Sequence, residues 1–362
     1  MEKSLYAQYV DKYFPTLVTS IVERLNGENR TTLPYLYRQL LEPVFSADGR
    51  WASILAEYSR VAADVVALDS ELPLKSRDAI ETASGDIPKL GLKMYLNEKQ
   101  MKDLDSMIAL NMPVNRILQN IFGDVTRVIE AVYERIEDIF LSELSSGVGV
   151  SERNNGTGVR IDMNYKPENQ MAAVAATWEG NPATCKPLDD IQAIFDKAQD
   201  DNNVITDIWA DDKWLKAFYA ADQVRGQYAF NAGVSVSNTN VPVLGFEQAA
   251  SVVSQKWGVT LHRVARRVKT EINGQKNNHT PWASGVAAFT CDPILGSLVW
   301  TTVAEQTRPV SGVDYQNADE FILVSKYSTN DPLREFTSSQ AMAIPVLNNV
   351  DRIYTLNQQA KA

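Results

Sequence analysis

The chain is poor in the residues that catalysis most often uses. Among its 362 residues are two histidines, His262 and His279, and two cysteines, Cys185 and Cys291. The cysteines lie far apart, and no CxxC or other metal-ligand spacing exists, which excludes a zinc module. They read as small buried residues of a reducing compartment. No GxSxG, HExxH, Walker A or GxGxxG pattern occurs. Long apolar runs are missing too. No segment approaches the ~18 consecutive apolar residues of a membrane span, and MEKSLYAQYV has no apolar signal-peptide core. A soluble protein made inside the cell is expected. Positive charge is scarce: 35 Lys and Arg face 45 Asp and Glu, a net charge of −10. That excludes tight, charge-driven nucleic-acid binding by the chain as a whole.

What is present is architecture. The apolar share of 44% and charged share of 22% are those of a globular protein, and the length allows two or three domains. Leu5, Tyr6, Tyr9, Val10, Tyr13 and Phe14 recur at helical spacing, and Leu17, Val18, Ile21 and Val22 resume the pattern after Pro15. The spacing predicts a helix over 3–25, broken or kinked at Pro15. Residues 30–51, interrupted by Pro34 and Pro43, read as an arm that packs on something else. Residues 60–96 read as a long two-stranded excursion turning at Ala83-Ser84-Gly85-Asp86. Such a ribbon is marginal in water and needs a surface to lie on.

Asn97 and Gln100 form a capping-box start for a short helix. Pro113 then suits the first turn of the next helix. That helix carries the strongest signal, one apolar stripe from Val114 through Ile129 and Ile136 to Phe140, ending near Ser145-Ser146-Gly147. A helix of this length predicts the spine of an elongated subunit. Val159–Tyr165 alternates as a strand. Residues 188–198, 204–210 and 211–227 read as helix, strand and helix, the start of an α/β-type domain. A further helix covers 246–257. Asn273-Gly274 marks a hairpin, and the remainder is extended.

Three clusters invite chemistry. Glu134, Glu137, Asp138 and Glu143 crowd the end of the long helix, and Glu134 and Asp138 have a spacing open to a carboxylate-based hydrolase. The alternative is a solvated or ion-paired face with Arg127 and Arg135. His262, Arg263, Arg266, Arg267 and Lys269 form the densest basic stretch, but no aromatic interrupts it as nucleic-acid binding would want. Strand alternation puts Arg263, Arg267 and Lys269 on one face and Arg266 on the other, a charged sheet face or subunit contact. His279 reads as an exposed loop residue. GVGVSERNNGTG lacks the Lys-Ser/Thr end of a phosphate loop and reads as a turn.

The order of these pieces carries a resemblance. ADVVALDSELP leading to Gly85, LNEKQMKDLD followed by VIEAVYERIEDIFLSEL, and WGVTLHRVARRVKTEINGQ with ASGVAAFTCDPILGSLVW are similar to segments of tailed-phage major capsid proteins of the lambda-type major head protein family. DPLREFTSSQAMAIPVLNNVDRIYTLNQ resembles the family's C-terminal segment. The resemblance implies an α+β chain with the Hong Kong 97-type capsid fold. Mapped onto this sequence, it implies an N-terminal arm (1–59), an extended E-loop hairpin (60–97), a peripheral domain (98–184 and 331–362) holding the long spine helix, and an α/β axial domain (185–330). It implies a structural protein with no cofactor and no metal. Copies of the chain would form the hexamers and pentamers of an icosahedral shell around double-stranded DNA bound without sequence specificity. Portal and scaffold or decoration proteins would be partners, no membrane would be involved, and assembly would take place in the bacterial cytoplasm. The E-loop charges Glu71, Lys75, Arg77, Asp78, Asp86 and Lys89 are the candidate inter-subunit ion-pair residues. An encapsulin-like nanocompartment shell is the alternative with the same fold. The carboxylate hydrolase is the alternative from another class.

Overall fold

The computed structural model describes residues 1–27, 35–56, 80–154, 157–233, 243–272 and 274–360. The helices are α1 (Ala7–Asn26), α2 (Tyr37–Leu40), α3 (Glu98–Ala109), α4 (Val114–Ser146), α5 (Pro187–Asp200), α6 (Asp212–Ala220), α7 (Asp222–Asn231), α8 (Phe246–Trp257) and α9 (Ala304–Thr307). The strands of the first half are β1 (Leu41–Phe45), β2 (Arg50–Ala56), β3 (Ile80–Asp86), β4 (Lys89–Leu96), β5 (Val148–Asn154), β6 (Thr157–Asp162) and β7 (Gln170–Ala173). Those of the second half are β8 (Asp207–Asp211), β9 (Thr260–Val264), β10 (Val268–Ile272), β11 (Gln275–His279), β12 (Val286–Thr290), β13 (Gly296–Thr301), β14 (Asp314–Ala318), β15 (Ile322–Asn330), β16 (Leu333–Leu347) and β17 (Ile353–Ala360). The chain divides into two compact units. The first is 1–51, 85–139 and 297–346; the second is 52–84, 140–296 and 347–362.

The first unit is a helix-on-sheet layer. Its sheet runs β1-β13-β16-β15-β14, with β4 also paired to β16. The 15-residue β16 is long enough to take β15 as an antiparallel neighbour along 333–341 and β4 along 335–342. The apolar stripe of α4 lies against this sheet. Ile117, Ile121, Val125, Val128, Ile129, Val132 and Ile136 are all buried, each contributing at most about 1.5–3 kcal/mol by leaving water. Ser339 Oγ donates to the Val128 carbonyl at 2.6 Å, fixing helix against strand. α1 packs on the same helix through Phe14, stacked on Phe122 at 6.1 Å. Of the break or kink expected at Pro15, the break does not occur: α1 runs continuously from Ala7 to Asn26. Val10, Phe14, Val18 and Ile21 bury one continuous face that spans the proline, and packing of that face outweighs the single lost backbone bond.

The second unit is an α/β layer. Its sheet runs β7-β17-β12-β8-β9, with β7 parallel to β17, β8 parallel to β9 and β12 antiparallel to both β17 and β8. The parallel β8–β9 pair requires a crossover, which α6, α7 and α8 supply. The core is aromatic-rich: Trp178 meets Trp214 at 5.0 Å, and Trp214 stacks on Phe218 at 5.1 Å. Asp211 caps α6 through Oδ1, which accepts from Trp214 N at 2.9 Å, while its Oδ2 accepts from Gly285 N at 3.1 Å. The single helix expected over 211–227 is two helices. Ala221, in extended conformation at ψ 135, separates them, and Asp222 N donates to the Pro182 carbonyl at 2.9 Å.

The excursion also differs from its reading. Ala83-Ser84-Gly85-Asp86 is not a turn but the end of β3, which pairs with β2. Residues 89–96 join β16 in the main sheet. Gly85 is needed for close approach: a Cβ there would sit 2.9 Å from Trp51 Nε1. The run 60–76 lies outside the described residues.

Candidate assembly surfaces

From Val132 onward α4 is buried nearly all round, and the acidic cluster is buried with it. Glu137, Asp138 and Glu143 are 0%, 1% and 0% exposed, so of the solvated or ion-paired face the solvated half is overturned, while the ion pair with Arg135 is present. Carboxylates in such a place need donors, and here the arm supplies them. Glu137 accepts from Leu36 N at 3.0 Å and from Tyr37 N at 3.1 Å, satisfying the free amides at the start of α2. Glu134 accepts from Tyr35 Oη at 3.1 Å. Asp138 pairs with Arg135 at 2.7 Å. Alongside, Tyr133 Oη donates to Asp319 at 2.9 Å, Arg38 pairs with Asp319, and the Arg38 guanidinium lies 4.5 Å over the Tyr133 ring. Of the two carboxylates that a hydrolase reading would use, Glu134 fastens Tyr35 to α4 and Asp138 is paired with Arg135.

Residues 2–6 are fastened in the same way. Glu2 bridges to Ser328, Ser328 Oγ donates to the Lys3 carbonyl at 2.8 Å, and Tyr6 Oη donates to Asp105 at 3.2 Å. Glu335, fully buried, accepts from Ser4 Oγ at 2.5 Å and from Leu5 N at 3.1 Å. Its neighbour Lys326, equally buried, reaches Glu335 at 3.4 Å and donates to the Ile121 carbonyl and Thr337 Oγ1, each at 3.1 Å. Burial pulls the Lys326 ammonium below the ordinary lysine range, and the Glu335 carboxylate opposes that pull.

Of the E-loop charges, Glu71, Lys75, Arg77 and Asp78 lie outside the described residues. Lys89 pairs within its own chain with Glu305 at 3.2 Å. Asp86, 90% exposed, sits 3.6 Å from Arg50, a separation worth little at the surface. The basic stretch is not one strand face. Arg263 is on β9 and pairs with Asp212 at 2.5 Å, which lowers the Asp212 pKa. Arg266 is buried in the segment between strands, and Lys269 is on β10. His262 stacks on Trp209 at 4.0 Å and shares a 2.7 Å hydrogen bond with Asp207. His279 ends β11 half-buried and is not in a loop. Both cysteines are free and buried, with burial pushing the Cys291 thiol up to about 12. Among the described residues no His, Cys, Asp and Glu group is arranged to hold a metal. No described helix is long and apolar enough to cross a membrane.

The surface instead presents apolar side chains and open strand edges. Among the described strands β4 pairs with β16 alone, so its other edge has no described strand partner, and an edge of that kind can take another strand. On that strand Leu92 is 40% and Tyr95 47% exposed. In the second unit Val174, Phe230 and Val243 are each more than four-fifths exposed.

The fold is that of phage capsid subunits. A capsid protein assigned to a prophage of Escherichia coli CFT073 aligns over 95% of this chain and 98% of its own, with a TM-score of 0.59 at 13% identity. A phage-related protein of Bordetella bronchiseptica RB50 aligns over 95% and 96% with a TM-score of 0.48 at 9% identity. An encapsulin complex of Synechococcus elongatus PCC 7942 aligns over 92% and 91% with a TM-score of 0.41 at 13% identity. No curated protein sequence matches. The family model of phage major capsid protein E matches residues 55–356, and the chain belongs to that family. It is a structural subunit of the virion shell, and its partners there are further copies of itself.

Proposed function

We propose that the chain assembles as hexamers and pentamers into the icosahedral shell of a tailed phage. That shell encloses double-stranded DNA without reading its sequence, and the chain catalyses no reaction. Assembly takes place in the bacterial cytoplasm, with portal and scaffold or decoration proteins as further partners. Residues 98–184 and 331–362 supply the peripheral part of each subunit and 185–330 the axial part. Glu71, Lys75, Arg77 and Asp78 face neighbouring subunits, whereas Lys89 is engaged at home. The net charge of −10 suits a container that confines DNA and does not grip it.

The observation that carries this reading is the exposed edge of β4 with Leu92 and Tyr95 upon it. An edge of this kind is a template for pairing with another chain. Light scattering and negative-stain microscopy of the purified full chain test it. Rings, tubes or closed shells of megadalton mass are expected, and Leu92→Lys together with Tyr95→Lys should leave folded subunits that do not assemble. A 40 kDa species that never assembles, even with a scaffold supplied, would overturn the reading. So would shells filled with a foreign protein in place of DNA.

A further inference from the structure

Glu143 is the member of the acidic cluster that neither the arm nor Arg135 engages. It is 0% exposed, and neither carboxyl oxygen has a hydrogen-bond partner. It stands in the last turn of α4, where free carbonyls make a negative charge least welcome. Its carboxyl is pressed against the first residues of the β5–β6 ribbon. A Cβ on Gly149 would fall 2.5 Å from Oε1 and 3.0 Å from Cδ, so only glycine leaves room. Among the described residues no cation is paired with it. A titratable neighbour is the Tyr165 phenol that follows β6, also buried, whose hydroxyl donates to the Leu144 carbonyl at 3.3 Å. A lone carboxylate in this enclosure pays full desolvation with no compensation, whereas a neutral carboxylic acid is tolerated.

We propose that Glu143 is a protonation-controlled latch: as a neutral acid it lets the base of the β5–β6 ribbon sit closed on the end of α4, and on ionising it drives the ribbon open. Burial holds the Glu143 pKa well above the ordinary glutamate value of 4.5, and that fixes the sign. The closed state binds the proton more tightly than the open one. Closure is therefore fully favoured below the ordinary value and weakens about tenfold per pH unit above it, until the buried carboxyl itself ionises. The ladder at stake is short: Val148, Gly149, Val150 and Ser151 pair with Asp162, Ile161, Arg160 and Val159.

Amide hydrogen exchange on the full chain between pH 5 and 8, corrected for intrinsic rates, reads this directly. The opening constant of amides 148–151 and 159–162 should rise by up to tenfold per pH unit in the native protein, while amides of the α8 core do not follow. Glu143→Gln, neutral at every pH, should be flat. Gly149→Ala, which leaves no space for the closed carboxyl, should be open throughout. A ribbon whose protection is independent of pH in the native protein overturns the proposal whether or not the variants fold. So does a slope that Glu143→Gln retains.

Discussion

The acids of this chain divide by what meets them. Glu137 and Glu335 are as buried as Glu143, yet each takes two donors from a passing segment, Leu36–Tyr37 in one case and Ser4–Leu5 in the other. The carboxylates serve as fasteners. Lys326 makes its site a coupled one. Replacing it alone strands Glu335, so Lys326→Met should cost about 3–5 kcal/mol in urea unfolding. The double variant Lys326→Met with Glu335→Gln should lose less than that single change. An equal loss would mean that Glu335 is not left uncompensated when Lys326 is removed. In the second unit, Asp190 accepts from Trp178 Nε1 at 2.8 Å and from Val174 N at 3.1 Å. Asp190→Ala leaves a buried indole N–H unmet and should cost about 1–3 kcal/mol by the same measurement.

At the level of elements, glycine position decides between opposite outcomes in one helix. Gly147 ends α4 at φ +75, and a Cβ there would lie 2.8 Å from the Tyr165 ring. Gly123 sits inside α4 with open space beside it. Gly147→Ala should lower the thermal midpoint of the subunit, through left-handed strain of about 1–2 kcal/mol plus the clash. Gly123→Ala should raise it, through a helix-propensity gain of about 0.5–1 kcal/mol. The start of α3 is equally specific. Asn97 accepts from Gln100 N at 3.0 Å while Gln100 Oε1 accepts from Asn97 N at 2.9 Å. Asn97→Ala should cost about 0.5–2 kcal/mol. Capping and stop signals of this kind were legible beforehand because they are local: Asn97, Pro113 and Gly147 act within a turn of where they stand. The turn expected at Ala83–Asp86 was not legible, because what Gly85 accommodates is the indole of Trp51, a contact that spacing does not reveal.

On the scale of the whole molecule, stability and assembly draw on different residues. The buried fasteners keep one subunit folded, whereas exposed groups are left for its neighbours. Reversing Glu71, Lys75, Arg77 and Asp78 together should sharply lower the yield of particles in light scattering while leaving the unfolding midpoint of the subunit within about 0.5 kcal/mol of the parent, as surface changes do. A parallel loss of subunit stability would assign those charges to the fold and not to assembly.

The sequence by itself determined the long helix, the caps, the mixed α and β character and, through the order of its segments, the capsid family. Those signals are periodic or short-range and survive without a partner in view. Tertiary structure alone decided where the acids went. Glu134, Glu137, Asp138 and Glu143 look alike in the sequence, four carboxylates near one helix end. Whether each is solvated, fastened or stranded depends on which distant segment reaches it, and residues 35–38 come from about a hundred positions away. The same holds for Pro15, harmless because a face buried on α4 outweighs one missing hydrogen bond. It holds too for 89–96, read as half of a ribbon that needs a surface to lie on and built into the main sheet by β16, which pairs with eight of its residues.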